Sequence, residues 1–574
     1  MAALPQWDYI FVIALLFAAL DAYNIGANDV ANSFATSVSS RSLSLRQACF
    51  LAAICEFLGA VLVGAKVAGT IKNSIISLDV FEGNAGVAML AFTCALVASA
   101  TWLMIATKNS WPVSTTYSLV SALAGVGVAV GGWDAPNWGW NGSKGLGAIW
   151  AGMGIAPAIS AGFAATVYLI TKFAVLDREN SIKKALMISP IYFFTVTAVL
   201  TMSIVYKGSP ELKLDKLPGT TIALAIVLTS LVISILSMIF WLPYVYVKVV
   251  RKDHTIRWYH FFYGPLLWKR PAPEVDENAQ FVPDYRVRDR DTPAKPVQPG
   301  SATASNSGDV ETKSDPEAGS VGQSNESQIP ATQAPLEEVE KDEHKIEGYW
   351  WTPKNLYIIF RYKIIQGLLH GSSVDIHKMQ TEGGSAAANA RLAKMHERSN
   401  QYPNETEHLY SFLQVLTACT NSFAHGANDV SNAIGPFAAV YYIWQNGTFG
   451  KNTPTPTWIL AFGGAMIVIG LATYGYKIMA AIGNRITLMS PSRGFSMELG
   501  ASITVLLASQ YGIPVSTTMC IIGATIGVGV VSSGPAGVNW RAIGWVFLGW
   551  VLTVPIAGIS AGCLMGIILN APHF

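Results

Sequence analysis

Apolar residues fill long runs of this chain, separated by short polar stretches and by one long hydrophilic stretch. A helix needs about 20 apolar residues to cross the roughly 30 Å hydrocarbon core of a bilayer. Helices of soluble domains instead alternate apolar and polar faces. The pattern therefore predicts an all-α polytopic membrane protein with about twelve membrane segments, near residues 8–37, 46–69, 84–107, 112–131, 146–173, 185–206, 218–250, 408–443, 457–483, 496–511, 514–533 and 541–569.

The composition agrees with a membrane protein and excludes several other classes. Of the 574 residues, 51% are hydrophobic and 13% are charged, and the mean hydropathy is +0.37. These values exclude a disordered chain, a collagen and a secreted disulfide scaffold. The net charge of +2 gives no support for nucleic-acid binding. The six cysteines lie singly in apolar segments and are predicted to pack there, without disulfides or zinc: Cys49, Cys55, Cys94, Cys419, Cys520 and Cys563.

One hydrophilic stretch carries about half of the charge. Arg251 to Thr406 holds about 19 of the 38 basic and 22 of the 36 acidic residues. Within it, residues 276–343 are too polar to bury a core, which predicts a disordered cytoplasmic loop. Its flanks, residues 257–270 and 349–401, carry aromatic and basic residues that are compatible with helices on the membrane surface. The predicted domains are an N-terminal membrane half at 1–250, the loop at 251–406 and a C-terminal membrane half at 407–574.

The basic residues between the segments predict the orientation. Lys and Arg accumulate in cytoplasmic loops, and strict alternation from an external N-terminus places seven of them inside: Arg41, Arg46, Lys183, Lys184, Lys248, Arg251 and Lys252. Both termini are then extracellular and the central loop is cytoplasmic. The sequons at Asn141 and Asn446 fall outside. The N-terminus lacks the basic region and cleavage site of a signal peptide, so the first span is expected to direct insertion.

Two motifs occur twice, in the same order, in the two membrane halves. Residues 21–34 read DAYNIGANDVANSF and residues 421–434 read NSFAHGANDVSNAI; residues 111–116 read WPVSTT and residues 513–518 read IPVSTT. The recurrence predicts a duplication. The two copies of GANDV are an odd number of segments apart, whether each PVSTT begins a span or a re-entrant hairpin. The sequence therefore predicts two inverted repeats with broken helices around a midplane site, as in secondary transporters.

The GANDV motif places a carboxylate inside an apolar span of each repeat. Asp29 and Asp429 need a cation, a proton or a water-filled cavity there. Gly26 and Gly426 permit a helix break that frees backbone carbonyls as further ligands. Asn side chains at spacing four add uncharged oxygens. An Na⁺ or proton site is indicated, with a helix cap that binds no ion as the alternative; the residues are Asn28, Asp29 and Asn32, and Asn428, Asp429 and Asn432.

The PVSTT motif predicts the start of a half-helix in each repeat. Proline at the first helical position loses no hydrogen bond. The following backbone N–H groups and hydroxyls donate to anions at the positive end of the helix dipole. Two such ends, from opposite sides, predict a site for one tetrahedral oxyanion without Lys or Arg. The alternative is that the hydroxyls bond back to their own helices; the residues are Ser114, Thr115, Thr116, Ser516, Thr517 and Thr518.

Four other polar residues lie within apolar segments. Glu56 and Glu498 are predicted to act in coupling or gating, with a structural hydrogen bond as the alternative. They do not occupy equivalent positions in the two repeats. Asp21 lies two helical turns before the GANDV aspartate, but its counterpart is Asn421, which weakens a symmetric ligand role. His425 has an apolar counterpart, which favours a structural role.

The two duplicated motifs around a hydrophilic loop resemble the inorganic phosphate transporter (PiT) family, and most of all its fungal plasma-membrane Na⁺/phosphate symporters. The resemblance covers both membrane halves. It implies a multi-pass plasma-membrane protein that imports inorganic phosphate together with Na⁺, exposing one site alternately to the two sides. Phosphate would lie against the two Ser-Thr-Thr segments. Cations would lie at Asn28, Asp29, Asn428 and Asp429, with Asn32, Asn432, Glu56 and Glu498 as additional site or coupling residues.

The chain departs from the family pattern at three positions. Many members carry His directly after PVSTT, whereas Tyr117 and Met519 stand here, which argues against a proton relay at that position. Ser431 stands where the family commonly has Ala, a change small enough to keep an ion site.

Three alternatives stay open from the sequence: coupling to H⁺ in place of Na⁺, another tetrahedral oxyanion such as sulfate, and a phosphate-sensing receptor. The sequence contains no HExxH or Walker motif, so an enzyme is not expected. No cofactor is predicted, and Na⁺ is the expected co-transported ion. The expected partners are phosphate, Na⁺ or H⁺ and the lipid bilayer; a homodimer and regulatory partners of the loop stay open.

Overall fold

In the part of the chain that the structure describes, the regular elements are helices, as the sequence predicts. The computed structural model describes residues 3–74, 78–81, 83–140, 145–207, 217–271, 281–285, 349, 351–359, 370–448, 455–510 and 515–571. Before the hydrophilic stretch the helices are α1 (Asp8–Ile25), α2 (Ala31–Ser39), α3 (Leu45–Ser74), α4 (Ala85–Lys108), α5 (Thr115–Gly131), α6 (Leu146–Thr171), α7 (Ser181–Lys207), α8 (Gly219–Leu236) and α9 (Leu242–Val245). The later helices are α10 (Pro353–Ile358), α11 (Ile376–Glu382), α12 (Ala386–Glu397), α13 (Asn404–Asn446), α14 (Thr457–Tyr474), α15 (Tyr476–Ala481), α16 (Pro491–Gln510), α17 (Thr517–Ser533) and α18 (Trp540–Leu569).

The chain divides into two compact units. The larger comprises Met1–Arg286 and Gly367–Phe574 and contains both membrane halves. The smaller, Val287–Gln366, is described at residues 349 and 351–359, where Thr352 caps the N-terminus of α10. The predicted disordered segment 276–343 lies outside the described residues except for 281–285. The domain boundaries at 250 and 406 stay a prediction.

Eight helices in the described part of the chain are long and apolar enough to cross a membrane. They coincide with eight of the predicted runs, and α5 and α17 coincide with two more. At 17 residues each, α5 and α17 are shorter than a span needs, which fits the hairpin alternative. The runs 408–443 and 496–511 fall in α13 and α16. The count of twelve spans stays a prediction.

Each repeat packs against the helix that follows the other repeat. Helix α5 of the first repeat lies along α18, and α17 of the second lies along α6. Glycines make this contact close, because a Cβ at Gly125 would overlap the Gly558 carbonyl and one at Gly523 would overlap the backbone of Pro157. In the same reciprocal way α13 packs on α3, and α1 packs on α14. The two repeats therefore form one interlocked core.

Gly26 and Gly426 have different backbone settings. In the first repeat Gly26–Val30 form a π turn between α1 and α2, and the backbone stays helical on both sides, so the helix is locally widened there and not broken. The break predicted at Gly426 is wrong, because α13 runs through it as one helix. A Cβ at Gly26 would overlap the Ile467 carbonyl of α14, and one at Gly426 would overlap the backbone of Glu56 in α3. Both glycines thus allow a neighbouring helix to approach closely. This close packing explains the glycine at position 426, where the helix does not break.

The predicted proline start of the half-helices is displaced. Helix α5 begins at Thr115, and the extended Ser114 is its N-cap, with Oγ accepting the N–H of Tyr117 at 3.3 Å. Ser516 caps α17 in the same way. Pro112 therefore precedes the helix, and Pro514 lies outside the described residues. A serine cap accepts a hydrogen bond from a free backbone N–H, whereas a proline in the first turn would simply lack that N–H. The motif therefore still marks a helix N-terminus.

Candidate functional site

Asp29 accepts hydroxyl hydrogen bonds from both repeats. Thr115 Oγ1 donates to its Oδ2 at 2.6 Å, and Thr518 Oγ1 donates to its Oδ1 at 2.7 Å. Asn32, one helical turn further on, donates from Nδ2 to Thr518 Oγ1 at 2.9 Å. All four side chains are buried. We use the name hairpin tips for the two Ser-Thr-Thr segments, residues 114–116 and 516–518. The carboxylate of one repeat is thus held by the first Thr of its own hairpin tip and by the second Thr of the other.

Asp429 repeats the arrangement with the roles exchanged. Thr517 Oγ1 donates to its Oδ2 at 2.8 Å, and Thr116 Oγ1 lies 3.5 Å from its Oδ1. Asn432 Nδ2 donates to Thr116 Oγ1 at 3.0 Å and to Asp429 Oδ1 at 3.3 Å. The two predicted hairpin tips and the two predicted acidic motifs therefore meet at one buried place, related by an approximate two-fold symmetry of contacts.

Asn28 and Asn428, which directly precede the two motif aspartates, have different hydrogen-bond partners. Asn28 Nδ2 donates to Thr107 Oγ1 at 3.1 Å and to the Trp111 carbonyl at 3.0 Å, while its Oδ1 accepts the N–H of Val113 at 3.1 Å. Its amide therefore orients the segment that leads into α5. Asn428 is half-buried and donates to Asp429 Oδ1 at 3.1 Å. The structure thus gives the two predicted cation-binding amides unequal settings.

His425 links two of the buried acids, although its apolar counterpart in the first repeat favours a purely structural role. Its Nδ1 lies 2.9 Å from Glu56 Oε2, and its Nε2 lies 2.9 Å from Asp429 Oδ2. Ser422 also donates to Glu56 Oε1 at 2.7 Å. In the sequence, the only indication that His425 contacts Asp429 is their spacing, since His425 lies four residues before Asp429 on α13. The partner across the interface, Glu56 of α3, could not be read from the chain.

Asp29, His425 and Asp429 form a group that could hold a cation. Each offers one ligand atom, and these atoms lie within 4.8 Å of one another. The two carboxylates supply the oxygen ligands that hard cations prefer. Because all three residues are buried, their charges act on one another with little screening by water.

Glu498 has a separate set of partners. It accepts hydrogen bonds from Thr36, from Ser37 at 2.9 Å and from Thr417 at 2.6 Å. Two of these donors lie on α2 and one on α13, so Glu498 of α16 ties together the helices that carry both acidic motifs. These contacts support a structural role and leave a gating role as a prediction.

Asp21 is buried, and within the described residues no hydrogen bond of ordinary length reaches either of its carboxylate oxygens. One turn further on, Asn24 donates from Nδ2 to the Ala100 carbonyl at 3.2 Å, while its Oδ1 has no partner among the same residues. The opposing hydroxyl of Ser99 donates to Ser118 at 3.1 Å. A carboxylate in such a place needs a proton or a cation. The mismatch with Asn421 argued against a ligand role, but burial now makes Asp21 a candidate.

Comparison with known proteins identifies the chain's relatives. A profile described as the phosphate transporter family matches residues 25–561. The chain belongs to this family. The match includes both acidic motifs and both hairpin tips, which confirms the family predicted from them.

Named relatives match over nearly their whole length. The chain is 39% identical to the phosphate-repressible phosphate permease pho-4 of Neurospora crassa, over 100% of this chain and 99% of that protein. It is 28% identical to the sodium-dependent phosphate transporter 1-A of Danio rerio, over 97% of this chain and 94% of that protein. These relatives carry the names of transporters and not of enzymes.

A solved structure titled "The sodium-dependent phosphate transporter" has the same fold, with a TM-score of 0.57 and 24% identity. The match covers 98% of this chain and 100% of that chain. At this identity the likeness speaks for the fold alone. A membrane protein of the phosphate transporter family, whose described regular elements are helices, is therefore established.

Proposed function

We propose that this protein imports inorganic phosphate by symport with Na⁺ across the plasma membrane. Family membership and the names of the relatives support phosphate as the substrate and Na⁺ as the coupled ion. The observation that carries the proposal is the reciprocal pairing of the hairpin-tip threonines with Asp29 and Asp429. It brings donors for an oxyanion and ligands for cations into one buried place.

The phosphate site is proposed at the two hairpin tips. The capping serines, Ser114 and Ser516, accept a backbone N–H and keep their own hydroxyl hydrogens for a ligand. The N-termini of α5 and α17 converge there, and helix N-termini stabilise anions by their dipoles and free N–H groups. The threonines of both tips complete the set of donors, namely Thr115, Thr116, Thr517 and Thr518.

The cation sites are proposed at Asp29 and Asp429, and the threonines would couple them to phosphate. A threonine hydroxyl has one hydrogen, and here it is donated to a carboxylate. A cation that takes over the carboxylate oxygen leaves this hydrogen for a phosphate oxygen. Cation binding therefore improves the phosphate site through the same atoms, and by linkage phosphate improves the cation site.

Electrostatics acts in the same direction. A phosphate anion about 4 Å from a carboxylate is repelled by roughly 4 kcal/mol per pair of charges at an effective dielectric constant near 20. Each monovalent cation bound at an aspartate removes most of this repulsion. Phosphate without cations is thus disfavoured, which couples the two fluxes.

The reciprocal contacts also suit alternating access. Thr518 holds Asp29 and Thr116 faces Asp429 across the two repeats, so movement of one repeat against the other breaks both contacts together. The proposed orientation follows the basic residues, with both termini outside and the central loop inside.

Coupling to H⁺ is the second candidate, and one observation favours it. Glu56, His425 and Asp429 form a continuous chain of titratable groups, with 2.9 Å at each step. Such a chain can carry a proton to the carboxylate that would otherwise bind Na⁺.

Uptake into proteoliposomes tests the proposal. Labelled phosphate uptake by the purified chain is compared under an inward Na⁺ gradient and under an inward proton gradient at matched voltage. Uptake driven by Na⁺ alone supports the Na⁺ symporter, and uptake driven only by protons supports the second candidate. Uptake of labelled sulfate but not phosphate would contradict both, as would the absence of any gradient-driven uptake.

A further inference from the structure

A basic cavity of about 690 Å³ lies where α11 and α12 meet the beginning of α18. Three arginines line it, Arg391, Arg485 and Arg541, together with amide and hydroxyl side chains such as Gln380 and Asn539. None of the described residues that line it is acidic. A concave surface with three guanidinium groups and no acidic residue in its described lining suits a ligand with several negative charges. Guanidinium groups pair especially well with phosphate.

An apolar groove of about 330 Å³ adjoins this cavity. Its lining is mostly apolar and includes Trp102, Leu548 and Leu552. The groove and the cavity share three lining residues: Ala481, Ala542 and Trp545. Trp545 and Trp540 are 66% and 52% exposed at the start of the membrane-spanning α18, where Trp typically marks the level of the lipid headgroups.

We propose that the cavity and the groove together bind one anionic phospholipid with a phosphorylated headgroup. The headgroup lies between the arginines and an acyl chain lies in the groove. The positive charge of the arginines favours a phosphorylated headgroup, because a zwitterionic lipid has no net negative charge to balance the guanidinium groups. The adjoining apolar groove favours a lipid over a free phosphorylated solute, because such a solute has no apolar part to bury in the groove.

This lipid contacts both elements that position the transport site. Trp111 and Pro112 line the groove, and the Trp111 carbonyl accepts from Asn28 next to Asp29. On the other side, Gln380 lines the cavity and donates from Nε2 to Ser39 Oγ at 2.9 Å, at the end of α2.

Lipid binding to the purified full-length chain tests the proposal directly. The probe is phosphatidylinositol bisphosphate in phosphatidylcholine nanodiscs, and bound lipid is counted by native mass spectrometry over a concentration series. The double variant Arg391→Gln/Arg541→Gln is expected to lose at least tenfold in affinity. Arg485 is kept, because its guanidinium also donates to the Met379 carbonyl at 2.9 Å. The matched control is Arg398→Gln, an exposed arginine just after α12 that does not line the cavity.

A second pair of variants examines the groove. Gly549→Leu fills it, since a Cβ there meets only Val113 at an ordinary 3.6 Å, and is expected to lower lipid affinity several-fold. Gly566→Leu on the same helix, with nothing within 4 Å of its Cβ position, serves as the control. The thermal unfolding midpoint of each variant shows that it is folded; if the double variant is not, Arg391→Gln alone replaces it.

Two outcomes overturn the proposal. Equal lipid binding by the wild type and a folded arginine variant removes the headgroup site. Soluble inositol trisphosphate that binds as tightly as the lipid, with no effect of Gly549→Leu, assigns the cavity to a free phosphorylated solute and excludes the lipid. Neither outcome depends on which ion drives transport, because binding is measured without a gradient.

Discussion

Thr518 donates its hydroxyl to Asp29 at 2.7 Å, although 489 residues separate them in the chain. The equivalent pair joins a threonine of the first repeat to the aspartate of the second: Thr116 Oγ1 lies 3.5 Å from Asp429 Oδ1. The unequal lengths show that the two halves of the site are not in identical settings. Both contacts join the repeats at the place where substrate binding is proposed, and the predictions below examine them and the packing that holds them.

Removing the charge of either aspartate is expected to abolish coupled uptake. Asp29→Asn and Asp429→Asn keep an oxygen acceptor for the threonines but remove the negative charge that attracts a cation. Labelled phosphate uptake in vesicles, normalised to the amount of protein in the membrane, measures the effect. Asp134→Asn, an exposed acid in the loop after α5, is the control and should keep wild-type uptake. Full activity of both site variants would refute the cation role.

Removing a hairpin-tip hydroxyl is expected to raise the phosphate concentration needed for half-maximal uptake. In Thr115→Val and Thr517→Val the volume is kept but the donor is lost, and an unmade hydrogen bond to a buried charged group costs about 1–3 kcal/mol. That corresponds to an increase of roughly 5- to 140-fold. Thr525→Val in α17, whose hydroxyl only bonds back to the Ile521 carbonyl, is the matched control. A concentration dependence unchanged from wild type would count against this site.

Adding one methyl group at the motif glycines is expected to destabilise the fold. In Gly26→Ala and Gly426→Ala the new Cβ overlaps the backbone of a neighbouring helix, which cannot move as a side chain can. Overpacking of this kind costs about 1–3 kcal/mol. Thermal unfolding in detergent should show a clearly lowered midpoint. Gly544→Ala, with nothing within 4 Å of the new Cβ, should leave the midpoint equal or raise it, so equal midpoints for all three variants would contradict the packing argument.

Replacing His425 is expected to impair both stability and transport. His425→Ala leaves Glu56 and Asp429 without the group that lies between them, and breaking a buried charged contact costs about 3–5 kcal/mol. His254→Ala, an exposed histidine in the segment after α9, is the control. Uptake and the unfolding midpoint are measured together. Wild-type values for both would show that the Glu56–His425–Asp429 chain has no role.

Much of the fold followed from the sequence, because membrane burial depends on local properties. A run of about 20 apolar residues must form a helix in lipid, since backbone groups have no other partners there. Hence the all-helical class and eight of the predicted spans agree with the structure. The duplicated motifs alone identified the family.

Local properties also led to two wrong details. Glycine in GANDV suggested a helix break in both repeats, yet α13 continues through Gly426. Proline suggested the helix start, yet Ser114 caps α5. In both cases the residue type allowed more than one structure, and its neighbours in space decided between them.

The sequence by itself determined that this is a membrane protein, that its two halves are related and which polar residues lie in lipid-spanning segments. Only the tertiary structure decided which of them meet. It placed Thr518 on Asp29, His425 between Glu56 and Asp429, and Asp21 in a buried position. The physical reason is that a hydrogen bond across two helices depends on their relative position and rotation. These are set by packing over the whole interface, and no short stretch of sequence encodes them.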